Sequence, residues 1–158
     1  MQANPSPDVI TKDTSIQKLQ DCFRSELVAM ETYQLALRMK SASHVGLHHA
    51  LQDLLTSHAR RSDLLRERIQ RLGGEPPKSS GAWGAFAKAV QAGADLLGDR
   101  VALAALEEGE ARGVRMYAEG VEGCDPRTRK LIDTELLPEQ QRTHQLCQTL
   151  HAYLAQPS

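Results

Sequence analysis

Aromatic residues are scarce in this 158-residue chain: Phe, Trp and Tyr together make up 4 %, with one Trp and two Phe. Runs of β-branched residues are missing as well, which leaves little to build a sheet from and predicts an all-α fold. A charge excess of one sign is also lacking. Nineteen Lys and Arg stand against 20 Asp and Glu, for a formal net charge of −1, so no long-range field gathers nucleic acid, anionic lipid or polyanionic substrates. No apolar stretch reaches the ~20 residues that span a bilayer, and the first dozen residues have neither the basic start nor the apolar run of a secretory leader. A soluble, cytoplasmic protein without nucleic-acid or membrane partners is therefore expected. Cys22, Cys124 and Cys147 are odd in number and have no Cys-x-x-Cys spacing, which reads as reduced thiols packed as small hydrophobes. Gly-rich phosphate loops and nucleophile elbows are absent too.

What is present is helical periodicity. From Asp13 or Thr14 to Lys40, Ile16, Leu19, Phe23, Leu27, Met30, Tyr33 and Leu37 recur at three- and four-residue steps, predicting a long first helix. After a break at Ser41–Ser43, a second stripe runs through Leu51, Leu55, His58, Ser62, Leu65, Ile69 and Leu72 and stops at Gly73 and Gly74. The short break makes these two helices antiparallel neighbours. The stretch GGEPPKSSGAWGAFAKAVQAGADLLG then changes texture. It predicts a crossover with a short Ala- and Gly-rich helix, with Trp83, Phe86, Val90 and Leu97 facing inward. A third helix starts at Asp99 and carries Leu103, Leu106, Glu110, Gly113, Tyr117 and Val121 in one stripe. A fourth opens at Asp125 and Pro126, with Leu137, Gln141, His144, Cys147, His151 and Leu154 near one face and a kink or bulge expected at Pro138. Extended flanks plus a short helix outreach the ~40 Å of a 27-residue helix, so the crossover returns along the whole bundle. Residues 1–12 are expected to form a loose tail and residues 13–156 a single four-helix bundle.

Polar residues inside the stripes need partners, because burying a carboxylate alone costs several kcal/mol or keeps it protonated. Glu26 has such a position, with Tyr33 seven residues on; Glu110 repeats it, with Tyr117 seven residues on. His58 follows Leu51 and Leu55, and His144 follows Leu137 and Gln141 at the same offsets. Each half of the chain thus reads Glu, Tyr, loop, His, a weak internal duplication. Glu26 and His58 fall at one depth. His144 and Glu110 miss one another by about six residues, or ~9 Å at helical rise, unless a late helix start or a bulge absorbs the difference.

Inward carboxylates and imidazoles on facing helices are how bundles hold iron, manganese or zinc. Glu26, His58, Glu110 and His144 form the candidate ligand set for one Fe, Mn or Zn ion, with Tyr33, Tyr117 and Gln141 around it. A metal-free Glu and His network of the same residues stands as the alternative. A full di-iron site takes Glu-x-x-His on two helices, whereas Leu55 and Gln141 stand three residues before the histidines; two missing carboxylates leave two divalent ions underneutralised. His44, His48 and His49 read as surface residues, Glu31, Glu107 and Glu108 as helix edges. Arg60, Arg61, Arg66, Arg68 and Arg71, interleaved with Asp63 and Glu67, read as a solvated face.

SELVAMETYQLAL in the first helix, RLGGEPPKSSGAWGAFAK at the crossover, LEEGEARGVRMY in the third and DTELLPEQQRTH in the fourth resemble a bacterial family of ferritin-like proteins of unknown function, over about residues 14–155. The resemblance implies a ferritin-like four-helix bundle, a homodimer, and distant kinship with rubrerythrins and bacterioferritins. By match to that superfamily's ligand pattern, Glu26 and Glu110 correspond to the single glutamates and His58 and His144 to the histidines of the Glu-x-x-His elements, with Leu55 and Gln141 breaking the pattern. Three roles follow as expectations: a single-metal protein at a degenerate di-iron-type site, a metal-free structural or protein-interaction bundle, or a weak redox or stress-response oxidoreductase. No small-molecule substrate is indicated.

Overall fold

The computed structural model describes residues 7–81, 92 and 98–155. Among them the chain is all helical: α1 (Pro7–Ala36), a 3₁₀ turn (Lys40–Ser43), α2 (Val45–Arg71), α3 (Asp99–Ala118), α4 (Pro126–Leu131), a π-helical stretch (Ile132–Leu136) and α5 (Leu137–Ala155). α4, the π-helical stretch and α5 follow one another without a break and form the fourth long rod. No described helix is long and apolar enough to cross a membrane. The expected crossover helix with Trp83, Phe86, Val90 and Leu97 lies outside the described residues.

Helix ends fall where the backbone chemistry asks for them. α2 closes in a Schellman motif: Gly73 adopts φ 77°, its N–H donates to Gln70 O, and the Gly74 N–H donates to Ile69 O. Asp125 caps α4, accepting from the Arg127 and Thr128 amides at 3.0 and 3.1 Å, and Pro126 fills the first helical position, where no N–H is needed. α1 begins at Pro7, earlier than the stripe beginning near Asp13 suggested. α3 is preceded by Gly98 at φ 90° and takes Asp99 into its first turn, where a carboxylate faces the positive end of the helix.

Packing pairs fix the directions. Phe23 lies under Arg66 and Glu26 meets His58, so α1 and α2 are antiparallel. Tyr33 meets Glu110 and Tyr117 meets Glu26, so α1 and α3 are antiparallel. Glu107 meets His151 and Glu110 meets Thr143, so α3 and α5 are antiparallel as well. α2 and α3 consequently run in the same direction. The third stripe is found as expected, with Leu103, Leu106, Glu110, Gly113 and Tyr117 all buried.

The core has three layers. One apolar cluster near the start of α1 joins Leu19, Phe23, Leu65, Ile69, Ile132 and Leu136. Another near its end joins Tyr33, Leu51, Leu54, Leu103, Leu106 and Cys147. Between them lies a slab of buried polar side chains: Glu26, His58, Arg61, Glu110, Gln140 and Thr143.

The fourth rod departs from its expected phase. The Leu137 N–H donates to Ile132 O, five residues back, so the helix widens just before Pro138. Pro138 has no N–H and its ring would strike the carbonyl four residues earlier in a regular helix; the wide turn relieves that conflict upstream of the proline. The buried residues that follow are Gln140, Thr143 and Cys147, continuing Ile132 and Leu136. The stripe through Gln141 and His144 is rotated out of the core: Gln141 is exposed and His144 half-buried.

Candidate functional site

Four ionisable groups meet at the centre of the polar slab. α1 supplies Glu26, α3 supplies Glu110, and α2 supplies His58 and Arg61. His58 bridges the carboxylates, with Nδ1 2.6 Å from Glu26 Oε2 and Nε2 2.8 Å from Glu110 Oε1. Arg61 is 1 % exposed. Its Nε donates to Glu26 Oε1 at 2.9 Å, Nη1 to Ser57 Oγ at 2.7 Å and Nη2 to Gln140 Oε1 at 2.9 Å. The solvated-face reading of Arg61 is thereby corrected. It stands three residues after His58 and four before Leu65, which is stripe spacing, and its charge is matched by the Glu26 carboxylate from α1.

The tyrosines cross over. Tyr33, on the helix of Glu26, donates to Glu110 Oε1 at 2.7 Å, and Tyr117, on the helix of Glu110, donates to Glu26 Oε1 at 2.6 Å. Tyr33 also stacks on the His58 ring at 5.2 Å between centroids. α5 completes the set: Gln140 Nε2 and Thr143 Oγ1 donate to Glu110 Oε2 at 2.6 and 2.8 Å. Glu110 therefore receives four donors from described side chains and Glu26 three. Gln140 and Thr143 carry no metal-ligand signature in the sequence and lie one residue before the expected Gln141 and His144. Those two make none of these contacts. Gln140 approaches so closely because position 113 is glycine: a Cβ there would lie 2.5 Å from Gln140 Nε2.

Electrostatics bias the protonation of these groups. Burial pushes the Glu26 carboxyl up, but Arg61 and His58 outweigh it and hold it down at about 2. Burial likewise opposes ionisation of Glu110, and His58, aided by Tyr33 and Thr143, lowers it overall. For His58 burial favours the neutral ring, yet the flanking Glu26 and Glu110 raise its pKa. Nδ1 also lies 2.7 Å from Arg61 Nη2, and one nitrogen cannot both donate to Glu26 and accept from Arg61. An unprotonated Nδ1 would set its lone pair against an ionised carboxylate at 2.6 Å. The two flanking carboxylates push the His58 ring toward its protonated form, in which it donates to both glutamates. With the ring protonated, two anions and two cations cancel, which removes most of the cost of unpaired buried charge. Tyr33 and Tyr117 are pushed well above the ordinary phenol range, by burial first and by Glu110 and Glu26 respectively.

These donors do not fit a metal ion as arranged. Both ring nitrogens of His58 are turned to carboxylates, and a guanidinium holds the ground beside Glu26. Among the described residues no group of three or more His, Cys, Asp and Glu is placed to hold an ion. The three cysteines are free and buried. Burial pushes the Cys22 and Cys147 thiols up to about 12, which leaves them without nucleophilic thiolate at neutral pH.

Two features link the slab to the outside. Ser57 Oγ, which accepts from Arg61, donates to Glu139 Oε1 at 2.6 Å, and Glu139 is clamped by Arg142 on the surface. A cavity of about 40 Å³ lies between α1 and α3, lined by the half-buried Ser25, Ala29, Gly109 and Arg112 and by the buried Glu26, His58 and Glu110.

No curated protein and no solved structure matches the chain. Residues 14–123, well over half of the chain and the part that carries Glu26, Tyr33, His58, Arg61, Glu110 and Tyr117, match the family described as a domain of unknown function (DUF2383), and the chain belongs to that family.

Proposed function

We propose that this chain is a ferritin-like four-helix bundle in which a charge-balanced ion network takes the place of a metal centre. On this reading it works as a structural or protein-interaction bundle and not as a di-iron oxidase or ferroxidase. The ferritin-like assignment is supported by the directions of the rods: α2 and α3 run the same way, which one long crossover between two helical hairpins produces. The chain leaving α2 starts along that path, with Gln20 donating to Glu75 O at 2.8 Å and Ser80 to Glu31 Oε1 at 2.9 Å.

The observation that carries the reading is buried Arg61 beside a doubly engaged His58. Divalent ions in such bundles are neutralised by carboxylates; here Leu55 and Gln141 take two of those positions, and Arg61 and His58 supply the positive charge instead. The alternative of a single Fe, Mn or Zn ion requires His58 to release a carboxylate and Arg61 to withdraw. Elemental analysis of protein purified without chelator separates the two. The proposal expects no stoichiometric metal and no rise in melting temperature with Fe²⁺, Mn²⁺ or Zn²⁺. A bound equivalent of any of them, lost in a Glu26→Gln variant, overturns it.

A further inference from the structure

The first hairpin, α1 with α2, and the second, α3 with the fourth rod, repeat each other in burial. Leu19, Glu26 and Tyr33 of α1 stand 84 residues before Leu103, Glu110 and Tyr117 of α3, and all six are buried. His58, Arg61 and Leu65 of α2 stand 82 residues before Gln140, Thr143 and Cys147 of α5, and these are buried too. Gln140, and not His144, is thus the counterpart of His58. The contacts obey the same relation. Tyr33 reaches Glu110 as Tyr117 reaches Glu26, Gln140 and Thr143 hold Glu110 as His58 and Arg61 hold Glu26, and Ser57 donates to its own counterpart, Glu139. Contacts that map onto one another when the halves are exchanged belong to a two-fold-related pairing.

The halves differ in charge. Of the six buried slab residues, the first hairpin supplies Glu26, His58 and Arg61, and the second supplies Glu110 with the neutral Gln140 and Thr143. Arg112 and Glu139, which border the slab, are only half-buried. With His58 protonated, the first half-site carries one positive charge in excess and the second one negative. Two first hairpins face to face would bury surplus cations, and two second hairpins a pair of carboxylates without a cation, and either is costly. Unlike halves balance. We propose that the slab is a mating code: two half-sites related by a pseudo-two-fold axis and made unlike by His58 and Arg61 against Gln140 and Thr143, so that a first hairpin closes on a second and not on a copy of itself. The inference rests on the metal-free reading of the network.

Urea unfolding of four full-length proteins of measured metal content tests it: the parent, His58→Gln with Arg61→Thr, Gln140→His with Thr143→Arg, and all four substitutions together. The second protein has two neutral half-sites and the third two cationic ones, and each is expected to lose about a hundredfold or more in folding constant. The fourth moves both cations to the other hairpin. It is expected to fold with a constant at least about tenfold above what the two losses predict together. Should it fail to fold, the milder exchange of His58→Gln with Gln140→His, set against its two single variants, has to show coupling of about threefold or more in the same sense. Moving the cations one residue along, as Gln141→His and His144→Arg with His58→Gln and Arg61→Thr, is expected to recover nothing. Additive losses in metal-free protein, or equal recovery from the shifted pair, overturn this inference alone. Stoichiometric metal in the parent overturns the reading beneath it and the inference with it.

Discussion

Arg61 donates through Nε to Glu26 Oε1 at 2.9 Å, both side chains lying within the centre of the bundle at 3 % exposure or less. A guanidinium has a rigid fork of donors and does not deprotonate, so here it serves as a permanent internal cation. Through Ser57 and Gln140 it also ties α2 to α5, and through Glu26 it ties α2 to α1.

Removing that cation leaves a buried carboxylate undercompensated. Arg61→Met is expected to destabilise the protein by about 3 kcal/mol or more, with Arg61→Lys retaining part of the loss because it keeps the charge but not the fork. Urea unfolding of the two variants beside the parent checks this; equal stability of Arg61→Met and the parent contradicts the central role.

Stability should fall on both sides of a window in pH. Glu26 is depressed from 4.5 to about 2, so its contribution is present above about pH 4.5 and is lost as the pH drops through about 2. His58 is raised from 6.5, so its contribution is complete below pH 6.5 and disappears as the pH climbs through the folded-state value. Denaturant midpoints measured from pH 3 to pH 9 are expected to peak between these limits, and His58→Gln should flatten the alkaline decline.

The crossed tyrosines are unequal. Tyr33→Phe leaves Glu110 with three of its four donors, while Tyr117→Phe leaves Glu26 with two of its three. Each loses about 1–3 kcal/mol for a bond to a buried charged group, and Tyr117→Phe should be the larger loss by thermal unfolding.

Gly113 is small so that Gln140 can reach both Glu110 and Arg61. Gly113→Ala would push Gln140 away and should cost about 2 kcal/mol, against the gain alanine brings to an exposed helix interior. In a Gln140→Ala background the same change should cost little or stabilise. A double-mutant cycle without coupling rejects this account.

Phase on the fourth rod makes the last expectation. His144→Ala and Gln141→Ala should each stay within about 0.5 kcal/mol of the parent, whereas Gln140→Ala and Thr143→Ala should exceed 1 kcal/mol. The reverse order in a stability measurement would restore the stripe read from the sequence.

The sequence by itself determined the helical content, the inward stripes of α2 and α3, the cap at Asp125, the close at Gly73 and Gly74, and the shared depth of Glu26 and His58. Each of these rests on local chemistry: helical spacing, a capping carboxylate, a glycine free to take positive φ. Tertiary structure alone decided the rest. Arg61 looked like one charge in a solvated run because its partner is on another helix, and Gln140 and Thr143 looked unremarkable because a buried polar stripe has no apolar periodicity to betray it. The π-helical stretch before Pro138 then rotated His144 out of the core, and no pattern of residue types specifies how far a helix widens when proline leaves a carbonyl without its donor.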